Sequence, residues 1–362
     1  MEKNTLENIP TPALVLNYDI MEKNMRYMAD FIERTKVNLR HHTKTAKIPL
    51  IAHLQMKIVG DSAKGIAVAK VGEAEIYAQC GFDDILIANQ VIDPHHIERL
   101  VLLNKYTLTR CVVDSQKNVV DLNEAAKKYK INLEVLIDID LGMGRTGVKP
   151  RDPALELANF IKEQSNLNLV GLQGYEGHLT PQTDNEIRKQ QTEECMKELV
   201  ATRDLLNRNG FNIDYLTASG SGTFMFSPQV EGITEIQPGT YVFSDDHLHR
   251  VVPEFEPAVS ILTTVQNNTA KRLYTLDAGT KTFPTGDGKP IFKDYPRCRF
   301  RVITEEHSQI KAGPNDEFQL GQKIELIPAH ICITINLHDF IHVIKAGEYI
   351  GKWPILARGK NY

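Results

Sequence analysis

Four groups of residues in this 362-residue chain have the types and spacing to do chemistry. The first is the basic knot Arg40-His41-His42-Thr43-Lys44, with Lys47 close behind, ending an apolar/polar alternation that begins at Val37. At the end of a barrel strand, a lysine can sit in a partly dry pocket and attack a carbonyl. A solvated basic loop has the same composition. The second group runs from Ile137 to Gly147 and contains Gly142, Gly144 and Arg145. Its glycines let backbone approach a ligand, and Arg145 offers a forked donor; a plain strand-to-helix turn reads alike.

The third group is Ser219-Gly220-Ser221-Gly222-Thr223, to which Gly239-Thr240 could add donors. Small residues with available backbone N–H groups suit a phosphate. No GxxxxGK[ST] pattern accompanies them, which argues against a nucleoside triphosphate. The fourth is His330-x-Cys332. Read as a strand, it puts both side chains on one face. An imidazole beside a thiolate suits zinc or a similar divalent ion and leaves positions open for substrate. His178, in Gly174-Tyr175-Glu176-Gly177-His178, and Asp277 could reach the same region. Taken together, a carbonyl-binding lysine, a phosphate loop, an arginine and a metal pair make one coherent site: pyridoxal 5′-phosphate with a metal beside it.

The elements that must position these groups are legible as an alternation. Strand candidates at 37–43, 65–68, 84–88, 110–113, 133–137, 169–172, 214–216 and 235–236 are separated by helical stretches, such as Pro153 to Gln164 and Asp184 to Asn209. Eight strands in this pattern match a (β/α)8 barrel. A doubly wound sheet alternates in the same way, but the count favours the barrel. Met21, Met25, Met28 and Ile32 form a core-facing stripe on a first helix that Asp19 can cap. After about residue 245 the helical period gives way to short β-rich runs. A barrel over 18–245 and a β-domain made of 1–17 and 246–362 follow. The strand at 12–17 has no place in the barrel count, so it is assigned to the β-domain.

Bulk properties narrow the function. A net charge of −4 lacks the basic excess of a nucleic-acid binder. No apolar run reaches the ~20 residues of a membrane span, and the N-terminus has no apolar signal core; the cytoplasm is the expected location. Five scattered cysteines form no CxxC pair and no disulfide framework. Asn267-Asn268-Thr269 reads as a turn.

The chain resembles the fold-type III pyridoxal-phosphate enzymes, the D-serine dehydratase and D-threonine aldolase group, with alanine racemase as a distant relative. The motifs are Thr11-Pro12-Ala13-Leu14, Arg40-x-His42-x-Lys44-Thr45-x-Lys47, Gly72-Glu73-Ala74-Glu75, Met143-Gly144-Arg145-Thr146-Gly147, Glu176-Gly177-His178, Pro238-Gly239-Thr240-Tyr241, Asp277-Ala278-Gly279, Pro328-x-His330-x-Cys332 and Ala357-Arg358-Gly359. The resemblance implies an alanine-racemase-like barrel with a C-terminal β-domain, and a homodimer. It makes Lys44, rather than its neighbour Lys47, the Schiff-base lysine. It makes His330 and Cys332 ligands of a divalent metal, zinc first, with manganese or magnesium as alternatives. Arg145, Tyr175, Ser219, Gly220, Gly222, Thr223, Gly239 and Thr240 are expected around the cofactor, and His178 as a base. His41 stands where the family commonly has proline, and Ala46 where it has histidine.

Cysteine at the second metal position is the dehydratase choice, which points to elimination of a D-β-hydroxy amino acid to a 2-oxo acid and ammonia. An aldolase yielding glycine and an aldehyde uses the same site. A racemase, or a non-catalytic pyridoxal-phosphate carrier, fits the metal pair less well.

Overall fold

The computed structural model describes residues 5–362. One compact unit comprises 28–44, 49–239 and 359–362; the other comprises residues up to 27, 45–48 and 240–358. The divisions between them fall at 27/28, 44/45, 48/49, 239/240 and 358/359, where sequence texture suggested 17/18 and 245/246.

β1 (Ala13–Asn17) and α1 (Tyr18–Thr35) open the chain. The Asn17 side chain, not Asp19, caps α1 by accepting the Ile20 N–H at 3.1 Å. Met21, Met25, Met28 and Ile32 are buried, as their spacing requires.

The eight expected barrel strands form. They are β2 (Asn38–His42), β3 (Ala63–Val68), β4 (Asp84–Gln90), β5 (Leu108–Val113), β6 (Leu133–Ile139), β7 (Leu167–Gly174), β8 (Tyr215–Ala218) and β9 (Glu235–Ile236). All neighbours are parallel, and β9 pairs with β2 to close the barrel. Helices α2 (Pro49–Val59), α3 (Val71–Gln79), α4 (Pro94–Leu103), α5 (Gln116–Tyr129), α6 (Asp152–Lys162) and α7 (Asn185–Arg208) link successive strands up to β8. α7 starts where Asp184 accepts two backbone N–H groups and stops before Gly210, whose φ is 86°.

Period-two alternation sorts the barrel interior into layers. Glu134, Leu136 and Asp138 of β6 share one face. At the N-terminal end of the strands, the buried Arg40 donates to Glu235 at 2.9 Å and to Asp84 at 2.6 Å, while Arg110 joins Asp84 and Glu134, each at 2.6 Å. Gly65 makes room for this: a Cβ there would come within 2.9 Å of the Arg40 guanidinium. The next layer is apolar, with Leu86, Val112 and Leu136 packed together. Above it Asp138 accepts from Gln90 at 2.8 Å, Thr146 at 2.9 Å and Gln173 at 3.1 Å. Burial pushes its carboxyl up against these three donors.

The other unit is built on a sheet ordered β13-β14-β11-β10-β1-β16-β17, with β15 pairing β10 and β12. Its strands are β10 (Val259–Ala270), β11 (Leu273–Leu276), β12 (Ile291–Phe292), β13 (Arg299–Ile303), β14 (Ser308–Lys311), β15 (Lys323–Ile327), β16 (Phe340–Lys345) and β17 (Glu348–Pro354). The N-terminal strand does join this sheet, antiparallel to β10 and parallel to β16. Asn267-Asn268-Thr269 lies within β10, not in a turn. Residues 330–335 are not a strand either: the short helix α9 spans Ile331–Thr334. Asp277 is tied into the sheet by the Thr11 and Thr263 hydroxyls at 2.6 Å each and the Thr264 N–H at 2.8 Å.

Arg40→Met leaves the buried Glu235 without its cation, while Asp84 keeps Arg110. The expected loss of stability is about 3–5 kcal/mol, read from the denaturant midpoint. A loss below about 1 kcal/mol would show that the cluster does not hold the barrel together.

Candidate active site

The C-terminal end of β2 carries the lysine. The His42 N–H donates to the Pro238 carbonyl at 3.1 Å, so the strand's end is fastened to the segment after β9. His41 is fully buried, and burial lowers its imidazole to about 4, so it is neutral. Lys44 follows, half-buried, with its ammonium 5.8 Å from the centre of the Tyr175 ring. No carboxylate pairs with Lys44 among the described residues. Lys47, the alternative, is buried with a φ of 54°.

Tyr175 is a shared platform. The Arg145 guanidinium lies 5.5 Å from the same ring centre. Arg145 is exposed and has no carboxylate partner among the described residues, so its donors are available to an anionic ligand. The ring fits because two glycines flank it. A Cβ on Gly220 would come within 3.1 Å of it, and one on Gly177 would run into it. His178 stands in the 3-10 turn Gly177–Leu179, exposed, its ring 3.4 Å from where a Gly142 Cβ would be.

The serine-glycine stretch after β8 forms tight turns, not a helix start. The Thr223 and Phe224 N–H groups return to the Gly220 carbonyl at 3.3 and 3.1 Å. Gly239 must be glycine, because a Cβ there would run into the His42 carbonyl. Its N–H donates to the Ser221 hydroxyl at 3.2 Å. The hydroxyls of Ser219 and Thr223, expected to face a phosphate, donate to the buried Glu176 at 3.0 and 2.5 Å. A hydroxyl has one proton to give, so neither can serve a phosphate in this arrangement.

In the other unit, His330 and Cys332 do meet, although not by strand alternation. His330 is the extended residue before α9 and Cys332 lies in its first turn. A hydrogen bond joins their side chains. That bond, with the Cys332, Asp245 and Asp287 charges and against burial, raises the imidazole to about 9. The Cys332 sulfur lies 3.0 Å from the Thr45 hydroxyl and 3.8 Å from that of Thr240, so Thr240 turns its hydroxyl to the thiol. No group of three or more His, Cys, Asp or Glu side chains could hold a metal among the described residues. An imidazole–thiol pair supplies donor types that suit zinc, but only two of the three protein ligands usual in an open site.

Asp245 carries no motif, yet it holds this corner. One carboxylate oxygen accepts the Leu248 N–H at 2.8 Å at the start of α8 (Asp246–Val251). The other accepts the Ile331 N–H at 3.0 Å, between His330 and Cys332. An Asp before a helix would mark its first role; only the folded chain reveals the second.

A closed parallel barrel followed by a mostly-strand unit is the architecture of the alanine-racemase-like proteins. Residues 16–247 match the alanine racemase N-terminal domain and residues 258–344 a putative serine dehydratase domain. The chain belongs to this alanine-racemase-like family. It is 31% identical to the 3-hydroxy-D-aspartate aldolase of Paracoccus denitrificans (strain Pd 1222), over 98% of this chain and 93% of that protein. It is 26% identical to the D-threo-3-hydroxyaspartate dehydratase of Delftia sp. (strain HT23), over 98% and 99%. The crystal structure of D-threonine aldolase from Filomicrobium marinum superposes with a TM-score of 0.93 at 32% identity, covering 99% of this chain and 98% of that one. No helix among the described residues is long and apolar enough to cross a membrane.

Asp245→Ala orphans two buried backbone N–H groups. The expected cost is about 2–4 kcal/mol, seen as a lowered thermal midpoint. An unchanged midpoint would mean that the corner is held elsewhere.

Proposed function

We propose that this chain is a lyase acting on D-β-hydroxy-α-amino acids, and that it eliminates the β-hydroxyl to give a 2-oxo acid and ammonia. Pyridoxal 5′-phosphate supplies the electron sink for charge left at the α-carbon. Lys44 is the residue assigned to hold it, and Lys44 released by substrate takes the α-proton. Its amine has no carboxylate partner among the described residues and lies over an aromatic face, which leaves it open to a carbonyl. Arg145 and Tyr175 orient the bound molecule, and the turns at Gly220, Gly222 and Gly239 bring backbone close to it.

His330 and Cys332 are assigned to a divalent cation, zinc first, which would serve as Lewis acid at the β-hydroxyl. The observation that carries elimination is the thiol of Cys332 beside the His330 imidazole, the donor pair expected of a dehydratase. Retro-aldol cleavage is the second reading. It is supported by the 31% identity to an aldolase over nearly the whole chain, against 26% to a dehydratase. There His178 would take the β-hydroxyl proton.

The test is turnover of D-serine, D-threonine and 3-hydroxy-D-aspartate, with and without a chelator. Elimination predicts ammonia and 2-oxo acid, lost on chelation and restored by zinc. Glycine with an aldehyde would replace it by the aldolase reading. Lys44→Ala is expected to lower turnover by about 10²–10⁴-fold and to abolish trapping of the cofactor by borohydride. Trapping that survives would move the attachment to Lys47.

A further inference from the structure

Glu176 is fully buried in the barrel unit, directly after the Tyr175 platform. One carboxyl oxygen, Oε1, accepts both the Ser219 hydroxyl at 3.0 Å and the Thr223 hydroxyl at 2.5 Å. The other, Oε2, is buried with no hydrogen-bond partner among the described residues. Ser219 also meets the Ser227 hydroxyl. Its φ is 67°, a region few residues other than glycine occupy, and these bonds offset the strain of holding it there. In the same turn the N–H of the buried Gly222 makes no backbone hydrogen bond among the described residues.

We propose that Glu176 is a positioning residue for the cofactor's phosphate: it turns the Ser219 and Thr223 hydroxyls inward and fixes the turn that offers backbone N–H groups, Gly222 among them, to the phosphate. The assignment rests on the cofactor reading above. Burial raises this carboxyl, against the Thr223 and Ser219 hydroxyls and the Glu176 and Ser219 backbone N–H groups, which favour its charged form.

The test compares binding of pyridoxal 5′-phosphate with binding of pyridoxal, which lacks the phosphate, by visible absorbance. Glu176→Ala is expected to weaken pyridoxal 5′-phosphate by about tenfold or more and pyridoxal by less than about twofold. Glu176→Gln keeps the acceptor without a charge, and is expected to stay within about threefold of the parent for both. If the alanine variant does not fold, Glu176→Asp makes the same comparison, because it withdraws the acceptor by one methylene. Equal weakening toward both ligands, no weakening, or a glutamine variant as weak as the alanine one would overturn the assignment. A parent chain that binds neither ligand would instead overturn the cofactor reading.

Discussion

The barrel's closing seam is the constraint on which the site depends. β2 is the first strand and β9 the last, and they must pair for no edge to remain. Asn38 then lies opposite Glu235, and Leu39 opposite Ile236. Two segments nearly two hundred residues apart become neighbours, and everything that follows each strand is brought along. Lys44 comes two residues after β2 ends, and Gly239 three after β9. The seam is bound at its base by the buried Arg40–Glu235 pair and near its top by the His42–Pro238 hydrogen bond. Gly239 follows from the same closure, since only a residue without a side chain lets that backbone pass the His42 carbonyl. A glycine that resembles phosphate-loop chemistry in the sequence is first a requirement of the barrel's own packing.

Much of this was legible in the sequence because it depends on period. Alternating apolar runs with helical spacers encode eight parallel strands, and the methionine stripe from Met21 encodes a buried helix face. Motifs singled out Lys44 and Arg145, which share the Tyr175 ring, and His330 and Cys332, which meet side by side. What was not legible depends on where short segments turn. Residues 330–335 alternate as a strand does, but Asp245 captures the Ile331 N–H and the chain coils into α9 instead. The two ligand candidates still meet, because one helical turn brings i and i+2 close enough when the first residue is extended. Asn267–Thr269 has turn composition, yet pairing with β11 keeps it extended. Asp277, set in a motif, proved to be a sheet fastener, because Thr11, Thr263 and Thr264 surround it.

The serine and threonine hydroxyls separate composition from function most clearly. A Ser-Gly-Ser-Gly-Thr run promises hydroxyl donors, and a sequence cannot say which way each side chain points. Glu176 decides the matter from the end of the preceding strand by drawing the Ser219 and Thr223 protons to a single oxygen. With those two hydroxyls engaged, the donors this turn has left are backbone N–H groups, which carry no net charge and cost no side-chain ordering. The same economy governs Tyr175. One ring, slotted between Gly177 and Gly220, sets the positions of two cations at once, Lys44 at 5.8 Å and Arg145 at 5.5 Å. Two cations therefore lie over one uncharged aromatic ring. Because the ring needs both glycines, the Glu176-Gly177 and Ser219-Gly220 motifs are coupled by packing before either is coupled to a ligand.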